Sequence, residues 1–266
     1  MGTGSFFRQL HDNIFVMPNP WDIGTAKLLA SFGFKALATT SAGFAFSRGL
    51  PDGGVGFDMM IQHCRELANA TDLPVSADLE KGKGDSAGSA AETIFAAEAA
   101  GLAGCSIEDH TGDTSQPIYD FSQAVERVAA AAEAARALKR DFVFTARCEN
   151  FLWNRPDLDE TIKRLQAFEK AGADVLYAPG LPDMEAVRLV CSAVQKPVNV
   201  MARPGLTVAA LSEVGVKRVS LGPWLTEFAF GMLETASREI LQDGTFGFAR
   251  AAMPFSKLQG LFTPKP

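Results

Sequence analysis

The sequence predicts one (β/α)8 barrel, the TIM-barrel form of the α/β class, with a C-terminal helical extension. The first observation behind this is repetition: short apolar runs alternate with longer segments of helical period eight times along the 266 residues. A closed parallel barrel requires that pattern, and separate small domains would not supply it. The second is length, which suits a barrel as one unit. Residues 1–266 therefore read as a single barrel domain without a linker, of which 242–266 form the extension. The competing arrangement, a doubly wound open sheet, has about five or six strands and a Gly-rich dinucleotide turn after the first. Here NPWDIG follows the first strand instead.

Residues 13–18 (NIFVMP) read as the first strand and 21–32 as a helix, with Asp22 near its start. The second strand is 35–40 (KALATT), followed by the loop SAGFAFSRGLPDGG and a helix over 57–70. Strand three (74–78) precedes an Ala-rich helix at 86–100, and strand four (104–108) precedes a polar loop at 109–120 and a helix at 121–139. Strand five is 142–146, and its helix starts at Pro156 or Asp157 and runs to 171, since proline is tolerated in a first helical turn. Strands at 174–178, 197–201 and 217–221, with helices at 183–193, 206–213 and 223–241, complete the eight units. The tail from residue 242 carries scattered Phe and ends in TPKP, so it is either a packing extension or partly loose.

A formal charge of −6 argues against a nucleic-acid surface, which would be basic. No apolar run approaches the roughly 20 residues that span a bilayer. The start, MGTGSFFRQLHDN, lacks the features of a secretory signal. Cys64, Cys105, Cys148 and Cys191 lie far apart with no CxxC pair, which favours free thiols and a cytoplasmic location.

Candidate chemistry collects where strands end, because catalytic groups of barrels sit at that face. The stretch LPVSADLEKGKGD (73–85) places Asp78 and Glu80 at i and i+2, on one side of an extended chain. Facing the barrel mouth, they could hold Mg²⁺, which takes one or two protein carboxylates and keeps water on its other sites. Facing outward, they are solvated loop charges. Thr39, Thr40 and Ser41 follow strand two, as substrate contacts or as caps of the turn. Glu108 and Asp109 end strand four, where burial requires a partner. Arg147 ends strand five and could bind an anion or pair with Glu108 or Glu149. Asn199 lies in strand seven and Arg203 after it. His110 is the one histidine at the mouth, and Cys105 and Cys148 read as small buried hydrophobes. HExxH and GxxxxGK[ST] are missing, so zincins and P-loop enzymes lose their main support, and the GxSxG match GDSAG (84–88) lies in the Gly-rich loop several residues past strand three rather than at a sharp strand-to-helix elbow.

Together, PWDIGTAKLLASFGFKALATTSAG, GLPD, LPVSADLEKGKGD, AGLAGCSIED, FVFTAR, PVNVMARPG and VKRVSLGP resemble the isocitrate lyase and phosphoenolpyruvate mutase superfamily, over residues 20–241. The resemblance implies a barrel that binds Mg²⁺ and a 2-oxo acid or its enolate. It implies Asp78 as a direct metal contact, with Glu80 and Glu108 reaching the metal through water. Arg147 would bind the enolate or carboxylate oxygen. Ser41 and Ala42, beside Thr40, would hold the substrate carboxylate, Asn199 would add a substrate contact, and Asp52 is the aspartate of the GLPD loop and a candidate catalytic group. Relatives form tetramers by exchanging a C-terminal helix, with which 224–241 is compatible.

Three departures from the family pattern bear on the reaction. The second acid of the metal motif is Glu80 rather than Asp. The loop after strand four reads TGDTSQPIYD, without the cysteine acid of the KKCGH lyase loop, which argues against isocitrate and methylisocitrate cleavage. Pro179 stands where relatives place His or Glu. A site with an electron sink but no cysteine acid fits decarboxylation of an oxaloacetate-like 2-oxo dicarboxylate, with 111–120 as a mobile lid. Phosphonopyruvate hydrolysis or mutase-type P–C chemistry, using Thr111, Thr114, Ser115 or Gln116, is the alternative. A barrel that binds a 2-oxo acid without turnover is the reading from another class.

Overall fold

A computed structural model describes residues 2–263. Its strands are β1 (Phe15–Met17), β2 (Leu37–Ala38), β3 (Val75–Asp78), β4 (Gly104–Glu108), β5 (Val143–Arg147), β6 (Val175–Tyr177), β7 (Val198–Met201) and β8 (Arg218–Ser220). All pair in parallel, in the order β1-β8-β7-β6-β5-β4-β3-β2. Each predicted strand is found: the fourth with the expected bounds, the fifth shifted one residue toward the C-terminus, and the others shortened at one or both ends. The helices are α1 (Thr3–Leu10), α2 (Ile23–Ser31), α3 (Ser41–Ser47), α4 (Phe57–Ala68), α5 (Ala87–Ala99), α6 (Phe121–Ala137), α7 (Leu158–Ala171), α8 (Met184–Ala193), α9 (Val208–Glu213), α10 (Trp224–Asp243) and α11 (Phe255–Phe262). Among the described residues no helix is long and apolar enough to cross a membrane.

The barrel core follows from the apolar runs. Val75, Leu102, Phe144 and Leu176 on or beside the strands pack with Ile94, Leu165 and Phe168 from the surrounding helices, and all are almost fully buried. Asp22 starts α2 as expected, its carboxylate accepting from the Thr25 backbone N–H at 2.7 Å in a capping box.

Two helices, α1 and α3, were not foreseen in the sequence, and a third, α11, lies in the expected C-terminal helical extension. The N-terminal α1 plugs the barrel floor: Phe7 is fully buried and meets His11 and Phe15 edge-on. Arg8 ties this plug down through Asp141 and Asp174, both at 2.7 Å. Residues 41–47, expected as loop, form α3, because the Thr40 hydroxyl accepts from the Gly43 N–H at 3.1 Å and Phe44 buries its ring on His63. In the tail, α11 returns to α2, where Lys257 lies over the Phe32 ring. The tail is thus a packing extension through Thr263; residues 264–266 lie outside the described residues, as does Met1.

β1 and β2 form no ladder. One backbone hydrogen bond, Ala38 N–H to Pro18 O at 3.0 Å, bridges them. The buried Asn19 side chain completes the ring: its amide donates to Thr39 O (2.8 Å), and its carbonyl accepts from the N–H groups of Leu221 (2.8 Å) and Gly222 (3.1 Å). Removing it would strand three backbone groups. Asn19→Ala is therefore expected to lower the unfolding free energy by about 2–4 kcal/mol, read by urea denaturation; an unchanged midpoint would show that the ring closes without it.

Candidate active site

The mouth of the barrel is built around the end of β3. The Asp78 N–H donates to Thr39 Oγ1 at 2.9 Å. Its Oδ2 accepts from Ser41 Oγ at 3.0 Å and from Ser41 N–H at 3.4 Å, and its Oδ1 lies 3.3 Å from Arg147 Nη1. Of the two roles open to Thr40 and Ser41, Thr40 caps α3, while Ser41 turns to Asp78. Glu80 is not in extended chain, so strand alternation is not what orients it. It adopts φ +50°, a left-handed conformation that costs a non-glycine residue energy and tends to mark functional sites. Its carbonyl accepts from the Glu108 N–H at 2.9 Å, which brings the two acids' backbones together.

Strand register assembles the rest. Glu108 on β4 pairs with Arg147 on β5, which pairs with Tyr177 on β6. Arg147 Nε meets Glu149 and lies 3.4 Å from Glu108 Oε2, and the guanidinium sits 5.2 Å from the Tyr177 ring centre. Burial works against the Arg147 charge, but Glu149, Glu108 and Asp78 outweigh it and raise the pKa well above normal. The pairing with Glu108 and Glu149 considered from sequence is therefore present, and Asp78 joins it.

The carboxylates outnumber this guanidinium. Burial, then Asp78, Glu108 and Asp52, push the Glu80 carboxyl up to about 8. Burial pushes Glu149 up to about 7 against the pull of Arg147. Asp52 is also raised, by burial and by Asp78. An oxygen-only donor set with surplus negative charge fits a hard divalent cation. Among the described residues no three His, Cys, Asp or Glu side chains converge as a ready-made metal cage. The fit is therefore to an ion such as Mg²⁺ that keeps several of its waters.

A cavity of about 80 Å³ opens beside this cluster, lined among others by Thr40, Ser41, Ala42, Asp78, Arg147 and Asn199. Asp52, Glu80 and Glu108 stand around it rather than in its lining. The Asn199 amide is already engaged, donating to Ser220 Oγ (3.0 Å) and accepting from Arg218 Nε (2.9 Å). Sequence reading had passed over Asn19, Tyr177, Arg218 and Ser220, which line the same cavity. A signal existed for Arg218: a charge inside the apolar run KRVSL, in register with Asn199.

Other candidates fall away from the cavity. Asp109 is a brace: it accepts from the Glu149 N–H (2.8 Å) and from Arg164 Nη1 (3.1 Å), joining the ends of β4 and β5 to α7. His110 stacks on Trp153, ring centres 4.0 Å apart, with Nδ1 3.6 Å from Glu108 Oε1. Arg203 is exposed. Cys105 and Cys148 are fully buried, and burial pushes both thiols up. The loop 111–120 folds on itself: Thr111 Oγ1 donates to Gln116 O (2.7 Å), Ser115 Oγ donates to Asp113 (2.7 Å), and His110 bridges Ile118. None of Thr111, Thr114, Ser115 and Gln116 lines the cavity.

Comparison with known proteins converges on one family. The family model described as phosphoenolpyruvate phosphomutase matches residues 7–241. The 2-methylisocitrate lyase of Escherichia coli is 32% identical over 181 residues, 65% of this chain and 60% of that one. A solved Burkholderia cenocepacia protein, described only by class as a lyase or mutase, is 50% identical with a TM-score of 0.96, covering 98% of this chain and 96% of its own. The structure of a phosphonopyruvate hydrolase complex with oxalate and Mg²⁺ is 25% identical with a TM-score of 0.86, covering 98% and 95%.

The crowded acids predict a pH effect in chelator-treated protein. Glu80, raised from 4.5 to about 8, holds its proton in the folded state across a window in which the unfolded chain releases it. The native state then binds more protons, so this contribution to stability is full below about pH 4.5 and is lost as pH rises through about 8. Wild type minus Glu80→Gln, compared by urea midpoints, should fall between about pH 5 and pH 8, and Mg²⁺ should reverse the fall. A pH-independent difference would contradict the crowding.

Proposed function

The chain belongs to the phosphoenolpyruvate mutase family of the isocitrate lyase superfamily, and on that premise we propose that it is a Mg²⁺-dependent carbon–carbon lyase that decarboxylates a small 2-oxo dicarboxylate of the oxaloacetate type. The observation that carries this reading is the partly buried Arg147 guanidinium, 3.3 Å from Asp78 and 3.4 Å from Glu108, at the wall of a small cavity. Asp78 would contact the ion directly, with Glu80 and Glu108 holding its waters. The bound ion would supply Lewis-acid polarisation of the 2-oxo group.

In this reading Thr40, Ser41 and Ala42 orient the substrate carboxylate. The C3–carboxylate bond breaks, CO₂ leaves, and its electron pair moves into the C2–C3 bond, so that negative charge grows on the C2 oxygen. Arg147 faces that charge as a fixed hydrogen-bond donor, held protonated by its acid neighbours. Water then returns a proton to C3, so no cysteine acid is required. Asp52, on the rim and electrostatically linked to Asp78, would orient that water. Phosphorus–carbon chemistry has less support, since the Thr111 and Ser115 hydroxyls it would use are engaged within their own loop and none of that loop's candidate residues lines the cavity.

The protein is further proposed to act as a homotetramer. Support comes from α10, where Phe228, Leu233 and Leu241 expose 67%, 64% and 84% of their surface, more apolar area than a lone surface helix normally shows. Sedimentation should give four chains per particle; a monomer at micromolar concentration would contradict this.

The test of function is pyruvate release from oxaloacetate with Mg²⁺, compared with the rate of the metal alone. Wild type should exceed that background, Asp78→Ala should return to it, and Arg147→Lys should lose about 10²-fold or more, because an ammonium cannot make the guanidinium's several contacts at once. No excess in wild type would refute oxaloacetate as the substrate, and phosphonopyruvate would be assayed next.

A further inference from the structure

Below the acid cluster the barrel interior changes sign. Arg218 opens β8 in register with Phe15 on β1 and Asn199 on β7, and is 3% exposed. Its side chain reaches across the interior, with Nε donating to Asn199 Oδ1 on β7 (2.9 Å) and Nη2 donating to Thr145 Oγ1 on β5 (2.9 Å). It lines the cavity together with Arg147, Tyr177 and Ser220. Its Nη1 is sealed from solvent without a partner, and among the described residues no carboxylate pairs with it.

That isolation sets Arg218 apart. Arg147 has three acids around it and Arg164 has Asp109 and Glu160. Arg127 donates to the carbonyls of Gly84 and Ser86 and lies in the field of Asp85. A buried cation met only by neutral groups is unfavourable, and here it borders a cavity able to admit an anion. In the floor beneath, His11 Nε2 is also buried without a partner. Its Nδ1 faces the Phe7 carbonyl at 3.0 Å and must therefore carry the ring proton, leaving Nε2 as an acceptor. Burial, followed by the Arg218 charge, pushes the His11 pKa down to about 3. A neutral imidazole can accept a hydrogen bond but cannot balance the charge.

We propose that Arg218 is a substrate-specificity residue that binds a second carboxylate of the substrate, deep in the barrel, while the 2-oxo acid end lies at Asp78 and Arg147. This rests on the lyase reading and narrows it: the site selects dianionic acids, and a monocarboxylate leaves the Arg218 charge unanswered.

The test is calorimetric titration of malonate and of pyruvate, each with Mg²⁺, into wild type, Arg218→Gln and Arg218→Lys. Malonate affinity is expected to drop about tenfold or more in Arg218→Gln and to recover partly in Arg218→Lys, while pyruvate changes less than about threefold. Equal losses for both ligands, or none, would overturn the inference and leave the lyase reading standing. So would pyruvate binding to wild type without malonate binding. If wild type binds neither, the reading and the inference fall together. Should the variants not fold, a crystal of wild type with Mg²⁺ and malonate decides. A carboxylate oxygen on the Arg218 guanidinium supports the proposal, and a water joining Nη1 to His11 Nε2, with malonate elsewhere, refutes it.

Discussion

The site depends on one guanidinium held inside a ring of acids. Arg147 is nearly buried, and a lone buried cation would be expelled or left unstable; three carboxylates from the ends of β3, β4 and β5 hold it instead. Those same carboxylates would repel one another without it. Neither side of the cluster is stable alone, and the parallel register of the barrel brings both to one level: Glu108 beside Arg147, Arg147 beside Tyr177. The balance is incomplete, however. Glu80 and Asp52 crowd further carboxyl groups, which Arg147 does not neutralise, against the cluster, so both are pushed up and Glu80 keeps its proton to about pH 8; a divalent cation at the mouth would let them ionise.

Other features serve to hold that cluster still. Asp109 accepts from the Glu149 N–H and from Arg164, so the chain after β5 is fixed from both β4 and α7. The loop after β3 is held from the opposite side: Lys81 Nζ reaches Asp85 and the Thr111 carbonyl, both at 2.7 Å, and Tyr119 donates to the same Asp85. The turn carrying Glu80 is thereby joined to the loop at 111–120. Below, Arg218 gives the interior a positive floor, so the cavity has a negative rim and a cationic base. That polarity suits an elongated acid with a metal-chelating head and an anionic tail.

Most of the barrel was legible in the sequence, because period-two and period-3.6 patterns report directly on which face an element buries. Where patterning was weak, legibility failed. SAGFAFS is short and carries no charged face, so the helix that begins at Ser41 read as loop, although a capping role was one of the two readings open to Thr40. The N-terminal helix was passed over because its apolar positions pack on the barrel floor rather than between neighbouring βα units. At the site, Asp78, Glu108 and Arg147 were visible because charged residues ending apolar strands need partners. The left-handed turn at Glu80 was not visible, since nothing in EKGKG forces a positive φ onto a glutamate. Arg218 was written in KRVSL as a charge within an apolar strand, but its facing direction came only from the register with Asn199.

The central claim is that the acid surplus around Arg147 exists to hold one divalent ion through Asp78. Titrating Mn²⁺, a paramagnetic stand-in for Mg²⁺, and counting bound ions by electron paramagnetic resonance tests it most directly. The account predicts one ion per chain, displaced by excess Mg²⁺ and lost in Asp78→Asn. No bound ion in wild type, or binding that survives Asp78→Asn unchanged, would contradict it.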